Sequence, residues 1–169
     1  MPKPITYPQF HEAMGSALTA WTAVEDAFCD LFTRLIVCAV TGKGIDPMRN
    51  YDGYKIVAGV FHSTSNLKAK IEMIDRIFQK LVTDADLLTE WDRIKDKQRT
   101  LYGRRNVMAH GHVWGNAHAD FVAYPFHAES RRTRLTYMQV CGQTPAFKQY
   151  EARITALAIA ANALLAARA

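Results

Sequence analysis

Arg105-Asn106-Val107-Met108-Ala109-His110-Gly111 closes a long helical pattern. Ahead of it, Trp91, Ile94, Leu101 and Met108 recur at heptad-like spacing, which marks one packed seam of a helix opened by Thr83-Asp84. Gln98 and Arg105 fall on the same seam, where polar groups are uncommon. Gly111 can stop the helix, and the period changes behind it.

Upstream, residues 1–7 form a short leader, and Pro8 sits where a helix can begin without losing a hydrogen bond. Met14, Leu18, Trp21, Phe28, Phe32 and Leu35 then form one apolar stripe on a helix reaching about Val40. Glu25 interrupts that stripe. A carboxylate on a packed seam needs a partner, and Arg105 on the second long helix is the expected one. Thr41-Gly42-Lys43-Gly44 ends the first helix. Asp46-Pro47 can open a short one, and Tyr54 to Phe61 is a second apolar patch. Ser63, Thr64 and Ser65 are cap candidates for an amphipathic helix over 66–81. Lys68, Lys70, Arg76 and Lys80 lie on its other face, read as a solvated surface.

Downstream, His112 to Gly115 and Asp120 to Tyr124 mix aromatic and β-branched residues, and Arg132 to Val140 alternates polar with apolar. This predicts a small antiparallel hairpin or sheet. Thr144-Pro145 opens the closing helix, whose later part is alanine-rich. The expected architecture is mainly α and a single domain over 1–169. Long up-and-down helices make a core at 8–111, a small β-hairpin is inserted at 112–141, and a closing helix follows at 144–168.

Composition sets wide bounds. The chain has 169 residues, 49% apolar and 22% charged, with net charge +5. This is ordinary for a globular domain and weakly favours an anionic partner. The first residues lack the apolar run of a signal peptide, and no eighteen-residue stretch is free of charge. Cys29, Cys38 and Cys141 are an odd set without a close pair, against a disulfide framework. A cytoplasmic protein with no membrane association is expected.

Asn106 and His110 share a helix face, extended one turn by Tyr102. The asparagine amide can hold an imidazole nitrogen and fix its tautomer. Arg105 lies five residues before His110, about 140° away on an ideal helix. The pair is therefore expected to meet only if the last turn unwinds or if two chains meet around a dimer axis. Arginine with histidine suits phosphodiester chemistry without a metal or other cofactor. The imidazole moves a proton, and the guanidinium holds phosphate and the charge developing on it. A ribose 2′-hydroxyl as nucleophile would restrict the reaction to RNA. Arg104, Arg131, Arg132 and Arg134 are the basic residues that can guide it, although a charged strand edge is the preferred reading of the last three. A metal site from His110, His112, His118 and His127 is the weaker alternative, because no cysteine or well-spaced carboxylate completes it.

The motif RNVMAH, before glycine and with an acidic position in the first helix (WTAVEDAFCDLF), resembles the HEPN family, the higher eukaryotes and prokaryotes nucleotide-binding domain. The resemblance covers roughly residues 8–111 and continues only weakly into AHGHVW. It implies a HEPN-like helical bundle, a homodimer with both motifs at the interface, and metal-independent endoribonuclease activity, as in toxins or defence proteins. An antitoxin or a nucleotidyltransferase is the partner such proteins imply. Arg105 and His110 are the matched catalytic pair and Asn106 the matched polar position; Glu25 is carried over only by its place in the first helix. The family also holds members that bind nucleotides, RNA or partner proteins without catalysis, so a non-catalytic module is the second expectation.

Overall fold

The computed structural model describes residues 5–42, 51–64, 66–116, 119–125 and 134–168. The segment around Asp46-Pro47, and Arg131, Arg132, His118 and His127, lie outside them. In chain order the described elements are α1 (Tyr7–Thr41), α2 (Tyr51–Ser63), α3 (Leu67–Leu81), α4 (Ala85–His110), β1 (His112–Asn116), β2 (Ala119–Tyr124), β3 (Leu135–Thr136), α5 (Tyr137–Cys141) and α6 (Gln143–Ala166). The chain is mainly helical with one small antiparallel sheet of order β1-β2-β3. Among the described residues, no helix is long and apolar enough to cross a membrane.

Local chemistry explains the boundaries. Thr6 and Gln9 cap α1 reciprocally: the Thr6 N–H donates to Gln9 Oε1 at 2.9 Å and the Gln9 N–H to Thr6 Oγ1 at 3.4 Å. Gly42 ends α1 in the left-handed region, φ +66°, with its N–H on the Cys38 carbonyl. The cap of α3 is Asn66, whose side chain accepts from the Lys68 N–H, rather than Ser63 or Thr64. Asp84 opens α4 by accepting from the N–H groups of Asp86 and Leu87.

The alternation over Arg132 to Val140 proved misleading. Among its described residues, Leu135 and Thr136 alone are strand, and Tyr137–Cys141 is helix. Thr136 and Gln139 form a capping box that satisfies two backbone donors at once and turns the chain into α5. The closing helix starts at Gln143, one residue before the expected Thr144 cap. Pro145 then sits in the first turn, where a missing N–H costs nothing.

The chain divides into two compact units, with boundaries inside α1, α4 and α6. Both units are built from non-contiguous segments of the chain. The first unit joins Met1–Val24 to Asp96–Tyr150. Trp21 is its central core residue, edge-on to Phe147 at 5.0 Å and tilted against Tyr102 at 6.1 Å. Phe10 lies between Phe121 and Tyr137, both at 6.3 Å, which seats β2 and α5 on α1. Strands β1 and β2 pair with Val113 opposite Ala123 and Trp114 opposite Val122, and the register shifts between Trp114 and Asn116. Gly115 sits at that irregularity. A Cβ there would meet the Phe121 Cα at 2.9 Å, so the close approach of the strands requires glycine. Trp114 itself is 76% exposed.

The second unit joins Glu25–Lys95 to Glu151–Ala169. Trp91 stacks on Phe78 at 5.4 Å and meets Phe28 edge-on at 6.5 Å. Its indole N–H donates to Asp75 Oδ1 at 2.7 Å, and the Lys95 ammonium meets the same oxygen at 2.7 Å. Burial pushes the Asp75 carboxyl up, but these two donors outweigh it and hold the group below the usual carboxylate range. Arg153 on α6 grips Glu90 on α4. Lys70 is buried, with its ammonium 4.7 Å from the Phe61 ring centre. This corrects its assignment to the solvated face of α3: the stem packs and the charge rests on an aromatic face. Cys29 and Cys38 are buried, and burial pushes the Cys29 thiol up, as suits packing residues.

Two expectations follow. Gly115→Ala lowers stability by roughly 1–3 kcal/mol, the usual range for overpacking, read as a lower midpoint in thermal denaturation. Asp75 has a folded value below its unfolded one, so its stabilising contribution is complete above the ordinary carboxylate range and fades as pH falls through the depressed value. Asp75→Asn therefore flattens the acid side of the stability profile; an unchanged slope between pH 5 and 2 would count against the network.

Candidate functional site

The site lies at the end of α4, within the first unit. The helix stays regular through the motif: His110 is its last residue, and the Gly111 N–H still donates to the Val107 carbonyl at 2.9 Å. Val107 and Met108 face the core, 5% and 2% exposed, which fixes the rotation of the last two turns. Arg105 and Asn106 are half-buried and His110 is exposed.

Arg105 and His110 meet within one chain. Arg105 Nη1 is 3.4 Å from His110 Nε2, and the same Nη1 donates to Asn106 Oδ1 at 3.2 Å. The offset of about 140° between their Cα positions is bridged by the arginine stem, with no unwinding and no second copy. A second copy, expected from that offset, is not needed to bring the pair together. The role of Asn106 also changes: its amide oxygen holds the guanidinium, and the guanidinium in turn meets the imidazole.

An arginine can only donate, so a hydrogen bond from Nη1 requires a lone pair on Nε2 and the proton on Nδ1. Arg105 Nε is buried with no hydrogen-bond partner. Leaving such a donor unmatched costs on the order of 1–3 kcal/mol. Within this unit and among the described residues, no carboxylate pairs with Arg105.

The other expected site residues fall as follows. Tyr102 is half-buried with its ring against Trp21, a packing position. Glu25 is half-buried on α1 and belongs to the second unit. Arg104 is half-buried, its Nη1 3.4 Å from Gln143 Oε1. Gln143 is itself 3% exposed and donates to the Gln139 carbonyl at 2.6 Å. That brace had no signature in the sequence, because nothing at the start of α6 marks a partner on α4. Arg134 is exposed immediately before β3. Among the described residues, no three His, Cys, Asp or Glu side chains are grouped to hold a metal ion.

Beside the motif an open groove of about 520 Å³ runs between the start of α1 and the α4–β1 junction. Met14 and Met108 line it, with Tyr7, His11 and His112 also on its walls. Ala109 and Gly111, the neighbours of His110 in sequence, line it too.

Comparison of the chain with protein-family models, curated proteins and solved structures returns no match.

The tautomer is directly measurable. Imidazole ¹⁵N shifts of neutral His110 should place the proton on Nδ1 in the wild type, and Arg105→Ala should remove that preference. A wild-type ring protonated on Nε2 would mean that the 3.4 Å approach is not a hydrogen bond.

Proposed function

We infer that the chain is a metal-independent endoribonuclease of HEPN type, acting in the cytoplasm as a toxin or defence effector. The observation that carries this reading is the approach of Arg105 Nη1 to His110 Nε2 at the exposed end of α4. A phosphate held by Arg105 lies within reach of the imidazole. As Nη1 leaves His110 Nε2 for the phosphate, the freed Nε2 lone pair takes the proton of the adjacent ribose 2′-hydroxyl, and the 2′-oxygen attacks phosphorus. The P–O5′ bond breaks, and the 5′-oxygen takes a proton from the imidazolium or from water. The products are a 2′,3′-cyclic phosphate and a 5′-hydroxyl. Arg105 neutralises the charge that builds on the non-bridging oxygens, Asn106 orients it, and Arg104 and Arg134 extend the positive surface. Glu25 enters as a brace for the arginine, and Arg131 and Arg132 as guides for RNA, on the sequence reading alone. The homodimer and an antitoxin or nucleotidyltransferase partner enter through the resemblance alone, since the catalytic pair already meets in one chain.

The second reading is a non-catalytic module that binds RNA or a nucleotide at the same arginine. The exposure of His110 and the long 3.4 Å contact are compatible with phosphate binding without proton transfer.

His110→Ala and Arg105→Ala should each lower cleavage of single-stranded RNA by about 10² to 10⁴ in the presence of EDTA, with unchanged circular dichroism. Wild-type rates in both variants would refute the catalytic assignment. RNA binding that depends on Arg105 without any cleavage would establish the second reading.

A further inference from the structure

The groove beside the motif carries chemistry that the catalytic pair does not use. Its floor is apolar, from the buried Met14 and Met108. Its walls carry flat rings: Tyr7, 50% exposed, stands edge-on to His11 with centroids 4.2 Å apart, and the exposed His112 also lines the groove. Among the described residues, no carboxylate lines it. At about 520 Å³ it falls within the range of small-molecule sites. An apolar floor with aromatic and imidazole walls is the environment that splayed-out bases of single-stranded RNA occupy, stacked on rings and hydrogen-bonded at their edges. The absence of acidic lining admits the phosphates attached to such a base. Ala109 and Gly111 join the groove to the residue that handles the phosphate.

We propose that this groove is a nucleobase subsite, which seats the base of a ribonucleotide flanking the phosphate held by Arg105. The proposal rests on the ribonucleotide-handling reading above and adds the element that gives it base preference. The base slides onto the methionine floor, stacks against the Tyr7–His11 wall and takes hydrogen bonds from the imidazoles. Gly15 also lines the groove, and a Cβ placed on it meets nothing within 4 Å. A leucine there starts from open space at its Cβ on the groove wall, and it is a better helix former than glycine.

The test uses the full chain and uncharged nucleosides, with inorganic phosphate as control. Uridine, cytidine, adenosine and guanosine are titrated while the imidazole signals of His11 and His112 are followed by NMR. At least one nucleoside should move both signals, and Gly15→Leu should weaken its binding by about tenfold or more, the scale of one lost stacking contact. His11→Ala should weaken it as well. Phosphate binding should be unchanged in both variants, and nucleoside binding should survive Arg105→Ala. If no nucleoside perturbs either imidazole up to its solubility limit, or if Gly15→Leu and His11→Ala bind nucleosides as the wild type does, the subsite is overturned. The outcomes separate from those of the catalytic assignment. Cleavage that survives loss of Arg105 and His110 defeats that assignment with the groove still occupied. Intact Arg105-dependent cleavage with a groove indifferent to nucleosides defeats the subsite alone.

Discussion

The site depends on α4 remaining helical to its last residue while two buried side chains, Val107 and Met108, hold its rotation. With the helix axis and phase fixed, Arg105 projects from the half-buried side and His110 from the exposed end. The guanidinium is then the one group long enough to join them. Asn106 adds a second anchor for Nη1 from the neighbouring position. A rigid backbone and a flexible stem divide the work. The first sets where the imidazole stands, and the second lets the arginine reach it. The cost is a buried Nε that the protein leaves unmatched.

Much of the helical framework was legible because long amphipathic helices repeat. The stripes of α1 and α4 place Trp21, Phe28, Trp91, Ile94, Leu101 and Met108 in buried positions, as their spacing required. Gln98 and Arg105, the polar members of the α4 seam, are half-buried rather than core. Less legible were features set by a few atoms. The capping box at Thr136 and Gln139 overrode a strand-like alternation. Asn66, directly beside the apolar run, displaced two hydroxyl candidates as the cap of α3. Lys70 was read by its charge, whereas its burial follows from its stem and the Phe61 ring.

The candidate site was legible in its members and not in its geometry. A helical wheel treats each side chain as a vector from the axis, which is sound for valine or leucine. It fails for arginine, whose head can swing around the cylinder, so Arg105 and His110 looked too far apart to meet in one chain. The same projection put Asn106 under His110, where the structure gives its oxygen to the arginine. The groove was invisible for a different reason. Its walls come from segments nearly a hundred positions apart, and neither Tyr7 nor His11 carries a local sign of its partner across the space.

The three tryptophans are distributed in a way that has an optical consequence. Trp21 is sealed in the core of the first unit and Trp91 in that of the second, while Trp114 stands on the outer strand of the sheet, open to water. The chain therefore carries three intrinsic fluorophores in three different surroundings: two blue-shifted and shielded from ionic quenchers, one red-shifted and accessible. An event at the sheet is reported by the red-shifted, quencher-accessible emission of Trp114, and the loosening of either unit by a red shift of its buried indole.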